Sequence, residues 1–167
     1  MPKAKRIILL GATGSIGSNT LKIIQQFPDD FQLVGISAYR NSQALAQIAE
    51  TFKVQSIALS DESTYQSAIE EDLFSKHCKI YGGDQALHQI IETTQADMVV
   101  VAIVGAQALS PTLNAIQKGM DIALANKELL VLGGSFVTNA IKENQVRLLP
   151  VDSEHNAIFQ CLQGNNS

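Results

Sequence analysis

The stretch Gly11-Ala12-Thr13-Gly14-Ser15-Ile16-Gly17 constrains this chain more than any other. Before it runs Arg6-Ile7-Ile8-Leu9-Leu10, an apolar run bounded by a basic stretch and a glycine, which is the pattern of a buried strand. After it, positions 16, 20, 21, 23, 24 and 27 mark one face at helical spacing. Strand, glycine turn and helix in that order form the phosphate-binding corner of a dinucleotide fold. Gly11 allows the tight turn, Gly14 lets a pyrophosphate approach the backbone, and Gly17 lets the helix pack close to the strand. The helix then points free N–H groups and its positive end at the anion. The spacing is Gly-x-x-Gly-x-x-Gly rather than the commoner Gly-x-Gly-x-x-Gly, so a bare structural turn is the alternative; the flanking strand and helix favour nucleotide.

A chain of 167 residues has room for one domain with a proper core. Its hydrophobic fraction of 46% and charged fraction of 17% place it among soluble globular chains, with aliphatic packing in the core because aromatics are few. A net charge of -4, with no basic stripe beyond Lys3-Ala4-Lys5-Arg6, argues against a nucleic-acid partner. Cys78 and Cys161 lie far apart without CxxC spacing, which excludes a disulfide framework or zinc site and fits a reducing cytoplasm. The start lacks a signal-peptide core, and no apolar run reaches membrane-spanning length. The expectation is a cytoplasmic protein with no membrane partner.

Strand and helix patterns alternate along the whole chain. Further strands are expected at 31–38, 56–59, 79–81, 97–104, 121–125 and 146–151. Helices are expected at 42–53, 61–74, 84–94, 111–118 (closed by Gly119), from 126 to about 144 with a break at Gly133-Gly134, and at 154–162. The run Met98-Val99-Val100-Val101 has no alternation and belongs in the middle of a parallel sheet. The class is therefore α/β, a doubly wound, mainly parallel, Rossmann-like sheet.

An NAD-binding member of this class carries an Asp or Glu about 20 residues after the glycines, on the ribose hydroxyl. Here that zone is Ser37-Ala38-Tyr39-Arg40-Asn41-Ser42, without a carboxylate. Arg40 offers a planar fork of donors to a 2′-phosphate, and Ser37, Asn41 and Ser42 can add hydrogen bonds, which favours NADP over NAD. The alternative is a solvated Arg40 with Asn41 or Ser42 capping the next helix.

Ligands of open α/β sheets sit at the carboxyl ends of strands, and three such ends stand out. Gly105, in Val104-Gly105-Ala106, either admits a cofactor or simply ends a strand. In Asn126-Lys127-Glu128, Asn126 and Glu128 suit a helix start, but a cation at Lys127 opposes the helix dipole unless it faces an anionic ligand. In Asp152-Ser153-Glu154-His155, two carboxylates at alternate positions can hold Mg²⁺ or Mn²⁺ through oxygen. On residues alone, helix capping by Asp152 or Ser153 is the stronger reading there, and a third metal ligand has to come from elsewhere. His77 and His88 read as surface residues, Cys78 and Cys161 as inert packing thiols.

Four segments together resemble one family, the 1-deoxy-D-xylulose 5-phosphate reductoisomerases. They are the glycine turn 11–17, Ala102-Ile103-Val104-Gly105-Ala106, Leu124-Ala125-Asn126-Lys127-Glu128, and the long run from Leu148 through Asp152-Ser153-Glu154-His155-Asn156 to Gln160. The resemblance implies NADPH- and divalent-metal-dependent conversion of 1-deoxy-D-xylulose 5-phosphate, a phosphorylated sugar, to 2-C-methyl-D-erythritol 4-phosphate in isoprenoid precursor synthesis. It implies that Thr13, Gly14, Ser15 and Ile16 cradle the pyrophosphate, that Arg40 and Asn41 meet the 2′-phosphate, and that Asn126 and Glu128 contact the cofactor. Lys127, Ser153 and Glu154 are implied on the substrate, Lys127 and Glu154 as the catalytic pair, and Asp152 and Glu154 on the metal, with His155 not a ligand. Tyr39 stands where the family often has a small residue, so the adenosine end is expected to pack differently; Leu129 stands where serine is common. Family members continue beyond this length. Residues 1–150 are then the NADPH-binding domain and 151–167 the start of a catalytic domain, within a homodimer of the full-length protein. The chain alone is expected to bind nucleotide weakly without turnover.

Two rivals remain at this point. A semialdehyde-type dehydrogenase needs a nucleophilic cysteine on a strand–helix turn, where neither cysteine lies. A nucleotide-sensing module needs no Asp152–Glu154 pair.

Overall fold

Strands as apolar as Ile7-Ile8-Leu9-Leu10 and Met98-Val99-Val100-Val101 have no face to show to water, so they must lie in a sheet covered on both sides. The computed structural model of the protein, which describes residues 2–151 and 154–164, has that arrangement, with each of these side chains fully buried. The strands are β1 (Lys5–Leu10), β2 (Phe31–Ala38), β3 (Ser56–Leu59), β4 (Lys79–Gly82), β5 (Met98–Val101), β6 (Asp121–Leu124) and β7 (Leu148–Pro150). They form one seven-stranded sheet in the order β4-β3-β2-β1-β5-β6-β7. Every neighbouring pair is parallel. The order reverses between β1 and β5, which are in register from Ile7 opposite Met98 to Leu10 opposite Val101.

The helices are α1 (Ser15–Gln26), α2 (Ser42–Phe52), α3 (Glu62–Glu70), α4 (Ala86–Thr93), α5 (Leu109–Gln117), α6 (Glu128–Asn144) and α7 (His155–Gln163). Successive strand side chains alternate between two cores. Ile7, Leu9, Met98 and Val100 meet Leu21, Ile24, Leu45, Ala68, Ile158 and Leu162 of α1, α2, α3 and α7. Ile8, Leu10, Val99 and Val101 meet Leu87, Ile90, Ile116, Leu129 and Val137 of α4, α5 and α6. Each fully buried aliphatic side chain contributes about 1.5–3 kcal/mol, and these two layers hold the strand ends in place.

α7 packs as part of this cover. Phe159 stacks on Phe27 with ring centroids 4.4 Å apart and meets Phe31 edge-on at 6.2 Å. Lys5 Nζ donates to the Leu162 carbonyl at 2.8 Å, and Arg147 Nη1 to that of Gly164 at 3.2 Å. Arg147 also donates from Nε and Nη2 to Asp121, which ties β6 to the start of β7.

Some element ends differ from the sequence expectation. α3 stops at Glu70 instead of reaching 74, because Glu70-Glu71-Asp72 would place three anions at the negative end of a helix. Asp72 turns into the left-handed region at φ 53, and Phe74 is buried from the following loop. β5 ends at Val101 rather than 104. Beyond it β1 has turned away at Gly11, so residues 102–104 have no strand on that side. β7 covers only 148–150 of the expected 146–151, since Gln145 closes α6 in the left-handed conformation. α5 starts two residues before Pro111, which is tolerated in a first turn, where no N–H is needed. The break expected at Gly133-Gly134 is present: Gly134 is non-helical (φ 43, ψ -122) and divides α6 into two helical parts. His88 is half-buried rather than on the surface, bridging Ser110 at 2.9 Å and Asn114 at 3.3 Å. Among the described residues no helix is long and apolar enough to cross a membrane.

Arg6 and Asp97 join the starts of β1 and β5. Arg6 donates from its backbone N and from Nε to Asp97 Oδ2, at 2.8 and 3.2 Å, and from Nη2 to Oδ1 at 3.0 Å. These bonds, against the opposing pull of partial burial, hold the Asp97 carboxyl below its ordinary value. A depressed folded-state value gives stability that is present above the unfolded carboxylate value, about 3.9, and is lost as pH falls through the lower folded value. Asp97→Asn should therefore lower the denaturation midpoint at neutral pH and flatten its acid limb. Urea titrations from about pH 7 down to about pH 3 check this; an equally steep acid limb in the variant counts against the pair.

Candidate functional site

The carboxyl ends of β1, β5, β6 and β7 open into one cleft of about 1500 Å³, directly over the reversal in strand order. Crevices at such reversals are where open α/β sheets bind ligands. The β1–α1 turn contributes Gly11, Thr13, Gly14, Ser15 and Ile16. The segment after β5 contributes Ala102, Ile103, Val104 and Gln107; the segment after β6 contributes Asn126, Lys127 and Glu128; and α7 with its N-cap contributes Glu154, Asn156 and Gln160.

The three glycines of the turn have different physical reasons. Gly11 has φ +84, and a Cβ there would lie 2.6 Å from the Ala102 carbonyl oxygen. The β1–α1 turn is therefore pressed against the segment leaving β5. At Gly17 a Cβ would strike the Gly11 carbonyl oxygen and, at 2.8 Å, that of Ala12. Gly14 is different: a Cβ would meet nothing closer than the Gly11 oxygen at 3.7 Å, an ordinary contact. Packing does not demand a glycine at 14. Gly14 is also the N-cap of α1 and caps it with no side chain, so the first-turn amides of the helix face the cleft uncapped.

Ser37, expected among the phosphate donors, is committed elsewhere. It is buried, and its Oγ accepts from the Gly11 N–H at 3.0 Å while its carbonyl accepts from the Ala12 N–H at 2.9 Å. The end of β2 thus holds the glycine turn in shape. Asn41 caps α2, accepting from the Ala44 N–H at 3.2 Å. Arg40 lies beside Tyr39, which lines the cleft; neither Arg40 nor Asn41 does. Gly105 takes φ +88 with room for a Cβ, so a left-handed turn, not crowding, explains that glycine.

Asn126 ties two strand ends together. Its Oδ1 accepts from the Glu128 N–H at 3.0 Å and its Nδ2 donates to the Ile103 carbonyl at 3.5 Å. Lys127 follows as the N-cap of α6. Its ammonium makes no ion pair among the described residues, in the position where a helix dipole disfavours a cation. Glu154 lines the same cleft as the N-cap of α7, with no side-chain cap bond. Asp152 and Ser153 lie outside the described residues. Among the described residues no group of three His, Cys, Asp or Glu gathers as a metal cluster.

Cys161 reaches the cleft wall, but burial pushes its thiol up to about 11, against a smaller opposing pull from Lys5. It is protonated at neutral pH and is no nucleophile. Cys78 lies away from the cleft and is likewise raised by burial. The cysteine-dependent dehydrogenase rival has no nucleophile here. The sequence reading missed Gln107, Asn156 and Gln160. The last two had a signal, polar residues four apart on a helix whose other side is apolar. It also missed Asp61, which pairs with Arg40 from the end of β3.

Comparison with known proteins decides the family. Residues 7–134 match the family model described as 1-deoxy-D-xylulose 5-phosphate reductoisomerase. The chain belongs to that family. A reductoisomerase of Thermoanaerobacter pseudethanolicus is 45% identical over 162 residues, covering 97% of this chain and 42% of the relative. One from Geobacillus sp. is 47% identical over 160 residues, covering 96% of this chain and 42% of the relative. The chain thus spans about two fifths of the length of the curated reductoisomerases it matches. Among solved structures, the Zymomonas mobilis reductoisomerase in complex with NADPH superposes with a TM-score of 0.83 at 40% identity, over 95% of this chain and 41% of that one. A reductoisomerase in complex with NADPH, fosmidomycin and magnesium gives 0.79 at 39% identity, over 94% of this chain and 38% of that one. Homoserine dehydrogenases at 21% identity share the fold alone.

Proposed function

We propose that this chain is the NADPH-binding part of a reductoisomerase that, with a divalent cation, Mg²⁺ or Mn²⁺, converts 1-deoxy-D-xylulose 5-phosphate to 2-C-methyl-D-erythritol 4-phosphate. The supporting observation is the cleft itself. It gathers an uncapped helix start, a lysine with no ion pair among the described residues and a carboxylate over the strand-order reversal, in a chain 40% identical to a relative solved with NADPH.

The residues fit the cofactor. The backbone at Gly14 is open where a Cβ would intrude, and the first-turn amides of α1 suit a diphosphate. Thr13, Gly14, Ser15 and Ile16 cradle it, Arg40 and Asn41 serve the 2′-phosphate, and Asn126 and Glu128 contact the cofactor. The donor chemistry also fits a hard cation: Glu154 offers carboxylate oxygens from the cleft wall, and Asp152 is proposed as its companion. When bound, NADPH supplies the hydride and the cation polarises the substrate's oxygens. Lys127 lends a fixed positive charge to the phosphorylated sugar. Glu154 and Ser153 hold its hydroxyls, and Glu154 accepts or returns a proton there. Residues from 151 onward belong to the catalytic part by this assignment, although α7 packs on the nucleotide domain. The full-length protein works in the cytoplasm as a homodimer.

The experiment has two arms. NADPH fluorescence titration of the 167-residue chain should show binding, with no turnover of the deoxyxylulose phosphate. Joined to the remainder of the Thermoanaerobacter relative, the chain should oxidise NADPH in the presence of substrate and Mg²⁺. In that chimera Glu154→Gln should slow turnover roughly 100- to 1000-fold. A chimera that binds NADPH yet never turns over, or one indifferent to Glu154→Gln, would overturn the assignment.

A further inference from the structure

The carboxylate missing from the end of β2 arrives from the end of β3. Asp61 Oδ1 lies 3.4 Å from Arg40 Nε. Asp61 Oδ2 accepts from the Thr64 N–H at 3.0 Å and from its hydroxyl at 2.8 Å. The carboxylate therefore cannot swing: one oxygen is anchored by the first turn of α3 and the other meets the arginine. The backbones are held too. Ser60 and Asp61 donate to the carbonyls of Ala38 and Tyr39, each at 3.1 Å, and so extend the β2–β3 ladder past both strand ends. The Tyr39 ring covers the guanidinium at 4.9 Å from Cζ, within cation–π range.

We propose that Asp61 is a positioning residue for cofactor choice: by pairing with Nε while Tyr39 covers one face, it pre-orders Arg40 and leaves both terminal nitrogens for a 2′-phosphate. This rests on the reading of the cleft as an NADPH site. The physical need is clear from exposure. The Arg40 side chain is 69% exposed and Asp61 only 17%, so without Asp61 a long, solvated side chain must be immobilised when the phosphate binds. Immobilising such a side chain costs about 0.5–1.5 kcal/mol, or roughly two- to tenfold in affinity. A dinucleotide without the 2′-phosphate does not use Arg40, and its affinity is independent of Asp61.

Asp61→Asn tests this, because asparagine keeps an oxygen for the α3 cap while losing the charge that holds Nε. Fluorescence titrations of the chain with NADPH and with NADH give the ratio of affinities. The variant should bind NADPH roughly two- to tenfold more weakly with NADH unchanged, and should have no further effect in an Arg40→Leu background. Equal weakening of both dinucleotides, tighter NADPH binding, or a loss that persists without Arg40 would each overturn the proposal. If the parent chain holds NADPH no better than NADH, the functional reading falls and this one with it. If the parent prefers NADPH and the variant keeps that preference, the Asp61 role alone falls.

Discussion

Gly17→Ala should destabilise the chain by about 3 kcal/mol, a large share of the stability of a domain this size. The added methyl would strike the Gly11 carbonyl oxygen and press on that of Ala12, and both are backbone atoms of a turn already fixed from other sides. Ser37 holds the Gly11 and Ala12 amides, and Ala102 stands against Gly11. With no flexible side chain to move aside, α1 must lift from β1. Urea unfolding should show a lower midpoint with an unchanged slope. Gly119→Ala is the control. That residue is left-handed at φ +81 but has nothing within 4 Å of a Cβ, so only the backbone penalty of about 1–2 kcal/mol applies. A Gly17 variant no less stable than the Gly119 variant would show that the turn yields.

Gly14→Val should give the opposite pattern. At φ -80 and ψ 179 the backbone there is open to any residue, and a Cβ meets only an ordinary contact. Folding stability should fall by no more than about 1 kcal/mol, the cost of valine as a poorer N-cap than glycine. NADPH affinity should fall roughly ten- to a hundredfold, since overpacking a close contact costs about 1–3 kcal/mol. Calorimetric titration with NADPH, run beside a urea curve, separates the two effects. A valine variant that binds like the parent would remove the diphosphate from the β1–α1 turn. Of the three glycines of one motif, packing requires Gly11 and Gly17, and the proposed function assigns Gly14 to the ligand.

Much of this was legible in order along the chain. β2 and β3 lie where the sequence pattern placed them, at 31–38 and 56–59. The glycine turn and the residues 126–128 at a strand end follow from local pattern. Ser37 could not be read correctly, since its Oγ partner lies twenty-six positions earlier and the two meet only because β1 and β2 pair. The same is true of Arg40 and Asp61, which the β2–β3 ladder brings together. α3 ended early because three consecutive acids outweighed the helical spacing of the apolar residues.

By itself the sequence determined the alternation of strand and helix, the apolar runs that require a two-sided sheet, and a turn able to offer bare amides to an anion. Those properties are local: periodicity, turn chemistry and side-chain polarity act over a few residues. The tertiary structure alone decided which strand ends share a cleft, which glycines packing requires, and which carboxylate stands beside Arg40. Each of those depends on parallel strands placing residues far apart in the chain at one edge of the sheet, where contact distances of a few ångströms decide the chemistry.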